Sequence, residues 1–309
     1  WGLSSYLLYR ELSYSKEQEI GVRAARLFYY YHGISLVALT AGLILFRGGF
    51  PTLGSFLLVV AVSVRSGLFP FHGWLLPAFE TLPLGVVFTF FGPQISIPIV
   101  LMMLHGEGGT FWQAAFSLGG LATALYGGSL ALAPKEVRRS LAYLFMSQSG
   151  LIYFGFMSNS FLGLTASIIT WLALCLSLIG FAMTYGCLEA RKGAISLSAP
   201  SGCYQRTPKM AVTFLLCGLA SVGIPGTVLF LSEDLLLQGL IEKLPVMAGL
   251  LVVAITLCAI NVLRLYFYLF NGSRTHQGEE DFTSREFSVV NVLFILLTVG
   301  SLMPSIIFQ

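Results

Sequence analysis

The chain has 309 residues, of which 56% are hydrophobic and 10% charged, with a net charge of +3 and a mean hydropathy of +0.83. A water-soluble domain carries roughly 25% charged residues, so this composition excludes a soluble surface and predicts an all-α, polytopic membrane helix bundle. There is no basic patch with interleaved aromatics for nucleic acid. No phosphate loop, nucleophile–base pair or metal-ligand spacing among Cys175, Cys187, Cys203, Cys217 and Cys258 points to a catalytic site, cofactor or metal.

The chain opens at Trp1 with "WGLSSYLLYR", half of the roughly 20 residues that a span needs. The reading is a half-span at 1–9 that begins inside a helix, with further helices upstream. Apolar windows then predict spans near 25–46, 52–79, 83–104, 111–133, 139–157, 161–188, 210–241, 246–270 and 287–308, with no soluble domain. His32 follows a Tyr-rich run near the start of its span and reads as interfacial. Trp74 and Trp112 read as interface or packing residues.

Lys and Arg divide unevenly between the two ends of these spans. One side holds Arg10, Lys16, Arg23, Arg26, Lys135, Arg138, Arg139, Arg191, Lys192, Arg206, Lys209, Arg274 and Arg285, against Arg47 and Lys243 on the other. Thirteen against two is a positive-inside signal. It places the loops 10–24, 134–139, 188–209 and 271–286 on the cytoplasmic side, or its organelle equivalent, of a bacterial inner membrane or organelle membrane. Arg65 and Arg264 remain inside spans.

Two spans are too long. Straight helices over 52–79 and 210–241 would measure about 42 and 48 Å against a core of about 30 Å. Each is interrupted, the first at Pro70 and the second at Gly223, Pro225 and Gly226. Each carries charge near the break, Arg65 in one and Glu233 with Asp234 in the other. They cross in opposite directions, the pattern of inverted-topology repeats. A pair of proline-kinked helices with snorkelling charges is the plainer alternative. The expected division is a remnant of a first repeat at 1–104, a second repeat at 111–270, and a C-terminal loop and helix at 271–309.

Four motifs in order resemble the antiporter-like, proton-conducting membrane subunits of respiratory complex I, membrane-bound hydrogenases and multisubunit cation/proton antiporters. The first is Arg65-Ser66-Gly67-Leu68-Phe69-Pro70-Phe71-His72-Gly73-Trp74-Leu75, against a family pattern of Lys-Ser-Ala-x-x-Pro-x-His-x-Trp-Leu. The second runs from Glu136 through Arg138, Arg139, Tyr143 and Ser147 to Gly150. The third is Leu219-Ala220-Ser221-Val222-Gly223-Ile224-Pro225 with Phe230 and Glu233, and the fourth is "LRLYFYLFNG" at 263–272.

The resemblance implies a hydrated polar row along the membrane midplane, a glutamate shortly before "SSYLL" at 4–8, and four helices further upstream. It implies a proton pathway drawn from Arg65, His72, Glu233, Asp234, Arg264 and Arg138. His72 is either a gate or a cap for broken backbone. Arg264 is either in the interior or snorkelling. Arg138 and Arg139 also read as positive-inside anchors. Of Glu233 and Asp234, about 100° apart on a helix, the motif favours Glu233 for the interior.

Departures matter as much. Arginine replaces the family lysine at Arg65 and is a poor relay because it does not deprotonate. The helix at 83–104 holds no His or Lys, with Thr89 near the family His position. The helix at 161–188 has Cys175 near the family lysine. Thr89, Gln94, Ser149 and Thr170 are left to hold waters. Three functions follow: a proton-translocating subunit with Glu233 titrating, a non-pumping structural subunit, or the membrane partner in proton-driven inorganic-carbon uptake. The implied partners are other membrane subunits, the lipid bilayer and, in the third case, a peripheral soluble protein. Any enzymatic role is at most that of a membrane subunit of a proton-translocating NADH:quinone-type oxidoreductase.

Overall fold

Backbone amides inside a bilayer must be satisfied within the chain, which favours helices throughout. The computed structural model describes residues 1–14, 18–91, 94–104, 110–156, 161–242, 244–272 and 280–302. Lys16, Lys243 and Arg274 of the charge count lie outside the described residues. Among those described there are thirteen α-helices and one isolated bridge, Glu136 to Ser196.

The helices are α1 (Gly2–Ser13), α2 (Gln18–Arg47), α3 (Pro51–Arg65), α4 (Leu75–Thr81), α5 (Leu84–Phe91), α6 (Ile97–Leu104), α7 (Thr110–Leu130), α8 (Val137–Phe156), α9 (Phe161–Lys192), α10 (Pro208–Ala220), α11 (Val228–Ile241), α12 (Pro245–Phe270) and α13 (Ser284–Leu302). Proline opens α3, α10 and α12, where its missing N–H would have no partner anyway.

Both expected interruptions are present, α3–α4 across 66–74 and α10–α11 across 221–227. A third was not foreseen. The predicted single span 83–104 is two short helices, α5 and α6, separated around Gln94, whose φ is +41°. The sequence signal was Gly92-Pro93 in the middle of the run, since proline removes a helical hydrogen bond and disfavours helix in the residue before it. Counting interrupted pairs together, the described helices make nine rods and the short α1.

The α8 helix is the central column, with seventeen of its 20 residues buried. It lies against α7 because glycines let the two backbones meet. A Cβ on Gly120, Gly127 or Gly150 would press on the neighbouring helix's backbone at 2.5–2.9 Å. The outer rods α2, α12 and α13 expose rows of Val, Ile and Leu.

The cation-rich loops converge on one face of the bundle. Leu197 N donates to Lys135 O (2.7 Å), Ser201 N to Tyr268 O (2.8 Å), and Lys209 N to Asp281 Oδ2 (2.9 Å). Arg191 pairs with Glu286 at 2.7 Å, and Arg139 pairs with Glu80. The end of α4 and the start of α10 therefore share this face, so the two broken helices run in opposite directions.

Candidate functional site

Arg65 ends α3 and is 4% exposed. Its Nη1 donates to Ser5 Oγ (2.7 Å) and its Nη2 to Ser4 Oγ (2.9 Å), both from α1. Its guanidinium lies over the Phe90 ring at 3.9 Å, with His32 Nδ1 3.5 Å from Nη1. Among the described residues, hydroxyls and an aromatic face hold this cation, and no carboxylate pairs with it. Such a contact is worth about 2 kcal/mol or more when desolvated.

The interfacial reading of His32 is corrected. It is 4% exposed, stacked on Phe28 and edge-on to Trp74. Because α2 begins at 18 and not 25, His32 falls at mid-helix and not at an interface. Trp74 is a packing residue, 1% exposed, and its Nε1 donates to Val64 O, satisfying a carbonyl that the break releases. His72 is half-buried between Phe69 and Tyr126, with Nδ1 unpartnered; Pro70 beside it faces outward.

From Ser66, the residue after Arg65, a neutral network leads inward. Ser66 Oγ lies 2.7 Å from Tyr153 Oη and 2.8 Å from Ser96 Oγ, and Ser96 Oγ is 2.6 Å from Tyr153 Oη. Tyr153 Oη also donates to Gln94 Oε1 (2.9 Å), and Gln94 Nε2 donates to Ser149 Oγ (2.9 Å). The next residue on α8, Gln148, donates from Nε2 to Ser221 O (2.8 Å) in the second break.

Glu233 follows on α11, 8% exposed, with Oε1 unpartnered. Gly223 has φ +72°, and a Cβ there would overlap Glu233 Oε2, so the turn needs glycine both for its conformation and for room. Gly226 also has positive φ, +94°. Beside Glu233, Ser232 accepts from Thr170 (3.0 Å). Asp234 turns away, exposed and bonded to Gln238, so the structure does not bring it into the interior.

Arg138 and Arg264 lie apart from this row, at the cationic face. Arg138 makes a two-pronged pair with Glu189 (2.8 and 2.8 Å) and donates from Nη1 to the carbonyls of Phe79, Glu80 and Leu82, capping α4. Arg264 donates to Ala131 O (3.3 Å) and Pro134 O (2.8 Å), closing the end of α7 at that face. Thr89 is exposed and bonds its own helix at Gly85 O, which removes it from the expected water-holding set.

Residues 2–260 match the family described as "NADH:quinone oxidoreductase/Mrp antiporter, TM". The chain belongs to that family. It is thus an integral, multi-pass membrane protein, and the family read from the four motifs is borne out. NADH-quinone oxidoreductase subunit M of Mycobacterium tuberculosis is 28% identical over 256 residues, covering 79% of this chain and 45% of that protein. The chain spans about half the length of the curated relatives it matches.

Two solved structures share the fold. A chain of respiratory complex I from Thermus thermophilus with bound NADH superposes with a TM-score of 0.87 at 21% identity, over 99% of this chain and 70% of that one. A chain of the Mrp complex from Dietzia sp. superposes at 0.80 with 23% identity, over 89% and 55%. At these identities the likeness speaks for the fold of this family member alone.

Proposed function

We propose that this chain is an antiporter-like membrane subunit that moves protons within a larger complex of the respiratory complex I type, with Glu233 as the group that takes up and releases the proton. The observation that carries this reading is the polar row from Arg65 through Ser66, Tyr153, Gln94, Ser149 and Gln148 to Ser221, the far break that Glu233 packs against. A buried carboxylate with a free oxygen at a helix break is a poor structural element and a good exchange site. Arg65 supplies a fixed positive charge at the other end.

Gln148 and Trp171, whose Oε1 and Nε1 have no partner among the described residues, line a cavity of about 10 Å³ together with Gln94, Ser149 and Cys175. That is room for about one water between them. The named relatives belong to multisubunit assemblies, which supports neighbouring membrane subunits as partners. The division into a first repeat at 1–104, a second at 111–270 and a C-terminal segment at 271–309 is proposed on the two oppositely directed breaks. The cytoplasmic assignment of the cationic face is proposed on the charge bias.

One observation favours the second reading, a non-pumping structural subunit: between Arg65 and Glu233 the row contains no carboxylate, lysine or histidine. The deciding experiment is proton flux into vesicles containing the assembled complex. Glu233→Gln is expected to lower it by about 100-fold or more, the scale of losing a proton-transfer group. Equal flux in wild type and Glu233→Gln, with assembly intact, would leave the structural reading in place.

A further inference from the structure

We propose that the hydroxyl cluster at Tyr153 is the proton-conducting link between the two breaks, working by reorientation of neutral groups, with Gln94 as its turning element. This rests on the proton-moving reading above.

The argument is one of counting protons. Ser66, Ser96 and Tyr153 form a closed triangle of hydroxyls with edges of 2.6–2.8 Å, and Tyr153 Oη makes a fourth contact, to Gln94 Oε1 at 2.9 Å. Each hydroxyl has one proton to donate, and an amide oxygen has none. With the amide oxygen toward Tyr153, four contacts share three protons, and no hydrogen pattern satisfies all of them.

Turning the Gln94 amide end-for-end removes the deficit. Nε2 then donates to Tyr153 Oη, Ser149 Oγ donates to Oε1, and every contact has a proton. The two amide orientations reverse the polarity between Tyr153 and Ser149, and which one is occupied is set by the surrounding hydrogens. Gln94 sits in the α5–α6 break with φ +41°, a conformation rare for a residue with a Cβ. It is held there by Gln94 N to Phe91 O (3.1 Å) and Ile97 N to Gln94 O (2.9 Å). The side chain reaches α8, where it meets Tyr153 and Ser149. Non-glycine backbone held in this region clusters at functional sites.

The transfer balances. A proton added at Ser66 Oγ sends the hydroxyl proton to Tyr153 Oη, which releases its own to Gln94 Oε1. Gln94 gives an Nε2 proton to Ser149 Oγ, leaving an imidic-acid end group, and Ser149 Oγ passes its own hydroxyl proton to a water in the cavity that it lines with Gln148. Rotation of that end group, a second transfer in the same direction and a second rotation restore the amide. One proton leaves for each that enters, and no group in the link becomes a lasting ion. Short hydroxyl chains polarise one another in a low-dielectric interior, which favours this mode over isolated hops.

The test uses the assembled complex in vesicles. Tyr153→Phe retains the ring and removes Oη; it is expected to cut proton flux by about 100-fold. Ser140→Ala is the control. Ser140 Oγ makes two buried bonds, to Ala131 O and Asn261 Oδ1, outside the row. It is expected to lower the melting temperature about as much as Tyr153→Phe while leaving flux unchanged. If Tyr153→Phe does not assemble, Gln94→Leu in the assembled complex decides in the same terms. Wild-type flux in Tyr153→Phe, or in Gln94→Leu where that variant decides, alongside loss in Glu233→Gln overturns the link but leaves the proton reading standing. Unchanged flux in both that variant and Glu233→Gln overturns both. Equal flux losses in Tyr153→Phe and Ser140→Ala would make the cluster a stability element and also overturn the link.

Discussion

At the α3–α4 break a buried cation is held by two serine hydroxyls and the face of Phe90, while at the α10–α11 break a buried carboxylate keeps one oxygen free. Both breaks turn on a glycine of positive φ, Gly67 at +65° and Gly223 at +72°. At Gly67 an added Cβ would meet only Leu75, at 3.4 Å; at Gly223 it would strike the Glu233 carboxylate. The first break is a fixed charge in a closed cage. The second is built around a carboxylate with one oxygen unpartnered. On the proposed function, a permanent cation at one end and an exchangeable acid at the other would give the row a direction that two identical breaks would lack.

The largest effect expected from this contrast is at Gly223→Ala. A left-handed conformation costs a residue with a Cβ about 1–2 kcal/mol, and overpacking adds about 1–3 kcal/mol. The variant should lose thermal stability and proton flux together, because the Cβ displaces Glu233. Full flux in Gly223→Ala would show that the Glu233 position is not critical.

Arg65 gives the next largest effect. Arg65→Ala should destabilise by about 2–4 kcal/mol, through a cavity over Phe90 and loss of the bonds to Ser4 and Ser5. Arg65→Lys should cost about 1–2 kcal/mol, because an ammonium keeps the charge but cannot fork to both hydroxyls and stack on the ring at once. Chemical denaturation of the two variants checks this order. Equal stability of wild type and Arg65→Ala would contradict the cage.

Gly67→Ala is expected to give a change no larger than that of Arg65→Lys, about 1–2 kcal/mol from conformation alone, with flux retained. Thermal unfolding measured beside Gly223→Ala tests the pair. A larger loss at Gly67 than at Gly223 would reverse the contrast.

Much of this frame was legible in the sequence for a simple reason: an arginine or glutamate in a greasy run is expensive, and Gly-Pro clusters break helices. Arg65, Glu233 and both expected breaks announced themselves that way. Helical spacing also separated Glu233 from Asp234, one buried and the other exposed. The neutral part of the row gave no such signal. Tyr153, Ser66 and Ser96 look like packing residues until the third break brings Gln94 beside them. His32 was misplaced because a Tyr-rich run resembles an interface when the helix start is set seven residues late. Arg138 and Arg264 were visible as charges, but their partners, Glu189 for Arg138 and carbonyls at the ends of other helices for both, are supplied only by tertiary structure.

The most direct measurement is the infrared difference spectrum of the assembled complex across a pH jump. The account expects a protonated-carboxyl C=O band that appears in wild type and is missing in Glu233→Gln, marking Glu233 as the group that gains and loses the proton. Identical difference spectra in the two proteins would contradict it.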